Sequence, residues 1–129
     1  MIVSMGIEWV DADRFERAVA RFGDRLLDRL FSQAEQEEAG QGRRRFERLA
    51  ARFAAKVALR RAFFGSPLAG AIGWRDVEVR RSASGAPRLL LRGAAKARAD
   101  ALCVVEAHLS MSHDSPAALA HVLLEAADG

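Results

Sequence analysis

The chain has 129 residues, 50% of them hydrophobic, and a formal net charge of +3. This length forms one packed core and is too short for two of ordinary size, so we predict a single domain over residues 1–129. No apolar run approaches the roughly 20 residues that cross a bilayer, and the first residues lack a basic segment and a cleavage pattern. A soluble cytoplasmic protein is expected. Its single cysteine, Cys103, excludes an internal disulfide and a cysteine-based zinc site.

The first predicted element is a strand over residues 2–10, in which apolar side chains alternate with polar or small ones. Its apolar face consists of Val3, Met5, Ile7 and Trp9. Glu8 lies on the opposite face, near the end of the strand. Asp11 is typical of a helix cap and predicts a helix from about residue 12. Gly23 is expected to break or bend this helix before a second segment at 24–31.

Arginines recur along these helical segments at three- and four-residue intervals. They are Arg14, Arg17, Arg21, Arg25 and Arg29. At about 100° per residue they share one third of the circumference, provided that the helix continues past Gly23. Such a stripe suits an acidic protein surface or phosphate groups. A solvated face, partly neutralised by neighbouring carboxylates, is the alternative.

The middle of the chain is predicted to form a polar loop or frayed helix end over residues 33–44, followed by a long helix over 46–63. Phe46, Leu49, Phe53 and Val57 mark the buried side of that helix. Arg52, Lys56 and Arg60 lie on another side. The glycines and proline of residues 65–70 end the helix and turn the chain.

The remainder is predicted to be mainly strands, with one short helix. The predicted elements are strands at 74–81 and 88–92 joined by a hairpin loop, a helix at 94–101, and strands at 103–112 and 117–124. In the strand at 103–112, Val105, Ala107, Leu109 and Met111 face one way. Glu106, His108, Ser110 and Ser112 face the other way.

Three short motifs, in this order, resemble the holo-acyl-carrier-protein synthase type of 4'-phosphopantetheinyl transferase. They are Met-Gly-Ile-Glu at 5–8, Arg-Phe-Ala-Ala-Lys-Val-Ala at 52–58, and His-Leu-Ser-Met-Ser-His at 108–113. Their separations and the chain length also fit. The resemblance implies an α+β fold, with an antiparallel β-sheet and helices packed against it. It further implies a homotrimer whose active sites lie between neighbouring protomers.

The activity that the resemblance implies is transfer of the 4'-phosphopantetheine arm of coenzyme A to a serine of an apo acyl carrier protein. Adenosine 3',5'-bisphosphate is released. The chemistry needs neutralisation of the diphosphate charge, in-line positioning of the hydroxyl and a route for its proton. In the family, Mg²⁺ on the diphosphate assists the leaving group, held by one or two carboxylates, phosphate oxygens and water.

Position 57 departs from the family pattern. The carboxylates that the resemblance implies as metal ligands map to Glu8 and Val57, and valine cannot coordinate a cation. Two alternatives follow: coenzyme A recruits Mg²⁺ to a weakened site at Glu8, or Arg52, Lys56 and Arg60 take over part of the neutralisation. Glu106 is a further candidate for compensation, with an exposed strand glutamate as the simpler interpretation.

The resemblance also assigns roles to the remaining motifs. It implies that His108 is the general base or proton relay, a role that suits imidazole near neutral pH. Residues predicted to bind coenzyme A are Arg52, Lys56, Arg60, Ser110, Ser112 and His113. Residues predicted to bind the acidic carrier protein are Arg14, Arg17, Arg21 and Arg25.

Two other functions are weighed against active transfer. The absent carboxylate at Val57 favours a catalytically degenerate homologue that acts as a carrier-protein-binding or regulatory subunit. Nucleic-acid binding through the arginines is disfavoured because no recognised binding motif or array of base-stacking aromatic residues accompanies them.

Overall fold

The structure is a computed structural model that describes residues 1–65 and 70–127. Its strands are β1 (Ile2–Asp11), β2 (Val77–Arg81), β3 (Pro87–Leu91), β4 (Val104–Asp114) and β5 (Ala117–Ala126). Its helices are α1 (Ala12–Phe22), α2 (Asp24–Leu30), α3 (Gln33–Ala39), α4 (Arg45–Phe64) and α5 (Gly93–Ala101). None of the helices in the described ranges is long and apolar enough to cross a membrane.

The strands form two antiparallel sheets. A three-stranded sheet has the order β1-β5-β4, and β2 pairs with β3 in a separate hairpin. Helix α4 packs across one face of the three-stranded sheet. The α+β class predicted from the sequence, antiparallel strands with helices against them, is confirmed.

Helix α4 approaches β1 so closely that one position admits only glycine. A Cβ atom at Gly6 would clash with the carbonyl oxygen of Ala58 on α4. Ala54, Ala55 and Ala58, which are fully buried, lie in the core between α4 and the sheet. Small residues on both elements therefore set the distance between the helix and the face of β1 that carries Glu8.

Helix α3 occupies the first seven residues of the segment 33–44, which we predicted to be a polar loop or frayed helix end. Ser32 caps it: the hydroxyl accepts the Glu35 N–H, and the Glu35 carboxylate accepts the Ser32 N–H. This Ser-x-x-Glu capping box is a sequence signal for a helix start that the prediction missed. The segment looks polar because it buries little beyond Glu35 and Ala39.

Gly23 ends α1 and separates it from α2. Its φ of 77° lies in the region that side chains disfavour, and its carbonyl and N–H groups close the two helix ends. The arginine stripe is consequently not continuous. Arg14, Arg17 and Arg21 lie on α1, whereas Arg25 and Arg29 lie on α2, and all five are exposed.

Two smaller differences concern the second half of the chain. The segment Trp74–Asp76 is a 3₁₀ turn and not the start of a strand. Strand β4 continues to Asp114, so that His113 lies within it. Of the predicted loop at 65–70, residues 66–69 lie outside the described part of the chain.

Candidate functional site

A cavity of about 370 Å³ lies between β1, α1 and α4. Its polar groups come from Glu8 and Asp11 on β1 and from Arg14 on α1. Its apolar wall is formed by Val10, Phe15, Phe53 and Val57. The structure therefore brings positions 8 and 57 to one cavity, as the family pattern implies. In addition, Arg14 on α1 contributes a guanidinium group to this cavity.

Both carboxylate oxygens of Glu8 have partners. Oε2 accepts hydrogen bonds from Nε and NH2 of Arg61, at 3.1 and 3.0 Å. Oε1 accepts the backbone N–H of Trp9 at 3.0 Å. The side chains of Arg61 and Glu8 are 39% and 21% exposed, so the pair is partly accessible to solvent, and of the two only Glu8 lines the cavity. We did not predict Arg61, although it lies on the helix face of Val57 one turn later.

The residues around Glu8 do not fit the two-carboxylate magnesium site that the resemblance implies. Val57 offers only hydrocarbon. The Asp11 carboxylate caps α1 by accepting the N–H groups of Asp13 and Arg14, at 2.9 and 3.1 Å. Within residues 1–65 and 70–127, no three acidic, histidine or cysteine side chains are close enough to hold a metal ion together.

Lys56 is fully buried. Its Nζ donates to the carbonyl oxygens of Leu30 and Trp74, at 2.8 and 3.0 Å, and to Oε1 of Glu35 at 2.8 Å. Burial lowers the pKa of Lys56, and the Glu35 carboxylate opposes this effect. These contacts join α4 to three other segments: α2, α3 and the 3₁₀ turn at Trp74. The predicted contact of Lys56 with coenzyme A stays a prediction, and it would require this arrangement to open.

Arg52 and His113 meet at a second, smaller cavity. It has a volume of about 140 Å³, and its lining is rich in basic groups: Arg48, Arg52, Arg81 and His113. Arg52 is 2% exposed, and among the described residues its Nε has no hydrogen-bond partner. Burial lowers the pKa of Arg52. His113 Nδ1 lies 3.5 Å from Oε2 of Glu47 on α4.

Arg60 lies beside the indole of Trp74. Its guanidinium carbon is 4.5 Å from the ring centroid, and NH1 donates to the carbonyl oxygen of Ile72 at 2.5 Å. These contacts hold Arg60 against the segment that precedes β2. Like Arg52, it belongs to α4 but does not line the Glu8 cavity.

His108, Ser110 and Ser112 are exposed on the opposite face of the three-stranded sheet. Leu109 and Met111, which alternate with them, pack into the core on the α4 side. His108 Nε2 lies 2.9 Å from Oε1 of Glu125 on the neighbouring strand. This outer face also carries the exposed side chains Met5, Ile7 and Trp9 of β1.

The predicted groups of the chain are therefore divided between two faces. Glu8 points toward α4, where Arg61 binds it, and His108 points away from α4. The sheet separates them, so a single chain cannot bring both to the same phosphate. Glu106 is exposed on strand β4, on the His108 face, and cannot compensate at Glu8 within that chain.

A family model described as the 4'-phosphopantetheinyl transferase superfamily matches residues 4–120. The chain belongs to this family. A holo-[acyl-carrier-protein] synthase of Xanthobacter autotrophicus is 41% identical over 130 residues, which cover 98% of this chain and 96% of the relative. One from Alkalilimnicola ehrlichii is 42% identical over 129 residues, with 99% and 100% covered. The resemblance predicted from the motifs, and with it a transferase as the class of enzyme, is confirmed.

Solved structures of the family agree with the fold. Holo-[acyl-carrier-protein] synthase of Neisseria meningitidis has a TM-score of 0.86 at 30% identity and covers 97% of this chain and 99% of its own. The enzyme from Helicobacter pylori, in complex with coenzyme A, has a TM-score of 0.81 at 26% identity, with 94% and 99% covered. The antiparallel sheet and its helices thus belong to a fold that the Helicobacter pylori enzyme shares and that is found there in complex with coenzyme A.

Proposed function

We propose that this chain transfers the 4'-phosphopantetheine arm of coenzyme A to a serine of an apo acyl carrier protein and releases adenosine 3',5'-bisphosphate. The observation that carries the proposal is the cavity lined by Glu8, the family's first-strand acid, and by Arg14, with Arg61 paired to the Glu8 carboxylate. Family membership over residues 4–120 and relatives bearing the holo-[acyl-carrier-protein] synthase name support it.

In the proposed reaction, the carrier serine oxygen bonds to the phosphorus of the phosphopantetheine phosphoryl group. The bond from that phosphorus to the oxygen of the adenosine bisphosphate breaks, and the serine proton goes to a base. Guanidinium groups suit the charge on the diphosphate. We assign the base role to His108, whose Nε2 contact with Glu125 would orient the ring and stabilise it once protonated.

The active unit is proposed to be a homotrimer with composite sites. Glu8 and His108 lie on opposite faces of one sheet, so the reaction requires the His108 face of one protomer to meet the Glu8 cavity of another. The outer face is suited to such contact because Met5, Ile7 and Trp9 are 58%, 56% and 55% exposed there. An apolar cluster of this kind, beside a functional group, is typical of a protein interface.

Coenzyme A is proposed to contact predicted binding residues at two places: the exposed face of β4 and the small basic cavity. Ser110 and Ser112 lie on the same exposed face as His108, and Arg52 and His113 line the small basic cavity. Their hydroxyl, guanidinium and imidazole groups are suitable donors to phosphate oxygens. Magnesium, which the family resemblance implies, finds one carboxylate in place of two, and we assign no step to it.

The carrier protein is proposed to dock on the exposed arginines of α1 and α2. Phe22, 60% exposed, lies among them at the end of α1, next to a groove formed with Arg25, Leu26 and Arg29. Basic groups around an apolar anchor suit an acidic amphipathic helix.

Intact mass of an apo carrier protein after incubation with coenzyme A tests the function. A gain of the phosphopantetheine mass is expected with the wild-type chain, and a His108→Ala variant should lose most of the rate. The second candidate, a degenerate carrier-binding subunit, is favoured by Val57. It predicts retained carrier binding with no mass gain on any carrier tested, which would contradict the proposed transferase.

Sedimentation analysis tests the composite site. The wild-type protein is expected to sediment as a trimer, and Ile7→Asp should shift it toward the monomer and abolish transfer. Lys96→Asp, a charge change on exposed α5, is the matched control and should alter neither. A monomeric wild-type protein with full activity would refute the proposed assembly.

A further inference from the structure

Arg61 pairs with Glu8, the carboxylate that the family resemblance implies as a metal ligand. It extends from α4 one turn after Val57, and both of its contacting nitrogens are directed at the same carboxylate oxygen of Glu8. The other oxygen holds the Trp9 N–H. A divalent cation binding here would have to displace a charge-assisted pair and then use a single protein carboxylate.

The substitution at position 57 and the pairing of Arg61 are electrostatically consistent with each other. Without a metal ion, carboxylates at both positions 8 and 57 together with Arg61 would carry a formal net charge of minus one. With Val57, only 6% exposed, Arg61 pairs with Glu8 alone and the net charge is zero. The valine therefore removes a negative charge that a metal ion would otherwise have to offset before an anion could bind.

The Arg61 guanidinium retains the capacity to bind a ligand while it contacts Glu8. A guanidinium carries five N–H donors in a rigid plane, and two of them are directed at Glu8. The side chain is 39% exposed. Its planar donors match the spacing of phosphate oxygens. Arg14 lines the cavity to which Glu8 contributes, and provides a second guanidinium from α1.

We propose that Arg61, oriented by Glu8, binds the diphosphate of coenzyme A in this chain in place of a divalent cation, so that coenzyme A binding is independent of magnesium. This inference rests on the function proposed above. It makes Arg61 a substrate-binding residue and makes Glu8 a positioning residue instead of a metal ligand. On this proposal, an enzyme that lacks the carboxylate at position 57 can still be active.

Calorimetric titration with coenzyme A, in excess chelator and again in magnesium, tests the proposal. The wild-type dissociation constant is expected to differ by less than about twofold between the two conditions. Arg61→Gln should weaken binding by about tenfold or more in both, because a charge-assisted contact is lost. Arg61→Lys should recover part of the affinity. Lys96→Gln, which removes an exposed cation paired with Asp100 on α5, is the matched control and should bind as the wild type does.

A gain-of-site variant provides the converse measurement. Val57→Glu combined with Arg61→Gln restores two carboxylates and removes the internal cation. Its coenzyme A affinity should become magnesium-dependent, and it should bind Mn²⁺ detectably by electron paramagnetic resonance, whereas the wild type should not. Thermal unfolding of each variant shows whether it is folded.

Two results would overturn the proposal while leaving the transferase function intact. They are wild-type coenzyme A binding that falls more than about tenfold in chelator, and a folded Arg61→Gln variant that binds as tightly as the wild type. Failure of the wild-type protein to bind coenzyme A under either condition would instead contradict the proposed function, and this inference with it.

Discussion

Glu35→Gln removes the charge of the only buried carboxylate that contacts Lys56 in the described part of the chain. Oε1 of Glu35 accepts Lys56 Nζ at 2.8 Å and the Ser32 N–H at 3.0 Å, and Oε2 accepts the Val79 N–H at 2.9 Å. The two charged side chains are 0% and 1% exposed. Glutamine keeps the volume of the side chain but leaves the Lys56 ammonium without the carboxylate that it contacts, with only the more distant charge of Glu78 to offset it.

The expected loss is about 3 kcal/mol in the free energy of unfolding. Breaking one partner of a buried pair costs about 3–5 kcal/mol, and the lower end applies because the carbonyl groups of Leu30 and Trp74 still accept from Lys56. A domain of this size has only about 5–15 kcal/mol of stability. The melting temperature should fall by about 10 °C. Urea unfolding followed by circular dichroism measures the effect.

The pH dependence of this loss identifies its cause. Burial lowers the pKa of Lys56 below its ordinary value of 10.5, and loss of the Glu35 charge should lower it further. Because the pKa of Lys56 is lower in the folded state than in the unfolded state, the unfolded state binds more protons at pH values between these two pKa values. Stability of the Glu35→Gln variant should therefore rise as the pH increases toward 10.5.

The matched control is Glu37→Gln on the exposed side of the same helix, which should change stability by less than about 0.5 kcal/mol. A loss below about 1 kcal/mol for Glu35→Gln, or one that does not diminish as the pH rises, would refute the argument from an uncompensated buried charge.

Three further predictions concern packing, acid stability and the carrier surface. Gly6→Ala should lower the unfolding free energy by about 1–3 kcal/mol, because its methyl group would meet the Ala58 carbonyl oxygen; thermal unfolding measures this, and wild-type stability would contradict the close approach. For Glu38, burial raises the pKa, but the Arg81 N–H and the Arg80 guanidinium lower it more, so the pKa lies below 4.5. The stabilising contribution of Glu38 is present above pH 4.5 and is lost as the pH falls through its folded-state pKa. In urea unfolding measured at decreasing pH, the stability of Glu38→Gln should therefore fall less steeply than that of the wild type. An equally steep fall would exclude this role for Glu38. Arg21→Glu should raise the KM for the carrier protein by about tenfold and leave the affinity for coenzyme A unchanged, which separates carrier docking from cofactor binding.

Most secondary structure followed from local patterns in the sequence. Alternation identified β1 and β4, and the spacing of Leu49, Phe53 and Val57 identified α4. Helix α3 was missed because its polar composition outweighed a capping box. Gly23 was recognised as a possible break, but only the φ angle there decides that α1 and α2 are separate helices.

The environment of charged side chains was the least predictable part of the site. On a helical wheel, Lys56 and Arg52 belong to a polar side of α4, yet they are 0% and 2% exposed. The reason is that α4 is surrounded, with the sheet on one side and α1, α3 and β2 on others. A periodic pattern records one buried face and cannot represent a helix covered on several.

The sequence by itself determined the family and the fold class, because motif order and local periodicity are properties of the chain, and it predicted candidate residues for phosphoryl transfer. Tertiary structure alone decided which of those residues meet. The pleat of the sheet directs Glu8 toward α4 and His108 away from it. The one-turn offset on α4 then brings Arg61 to the carboxylate that Val57 cannot share. Such contacts depend on the packing of elements distant in sequence, which no local pattern encodes.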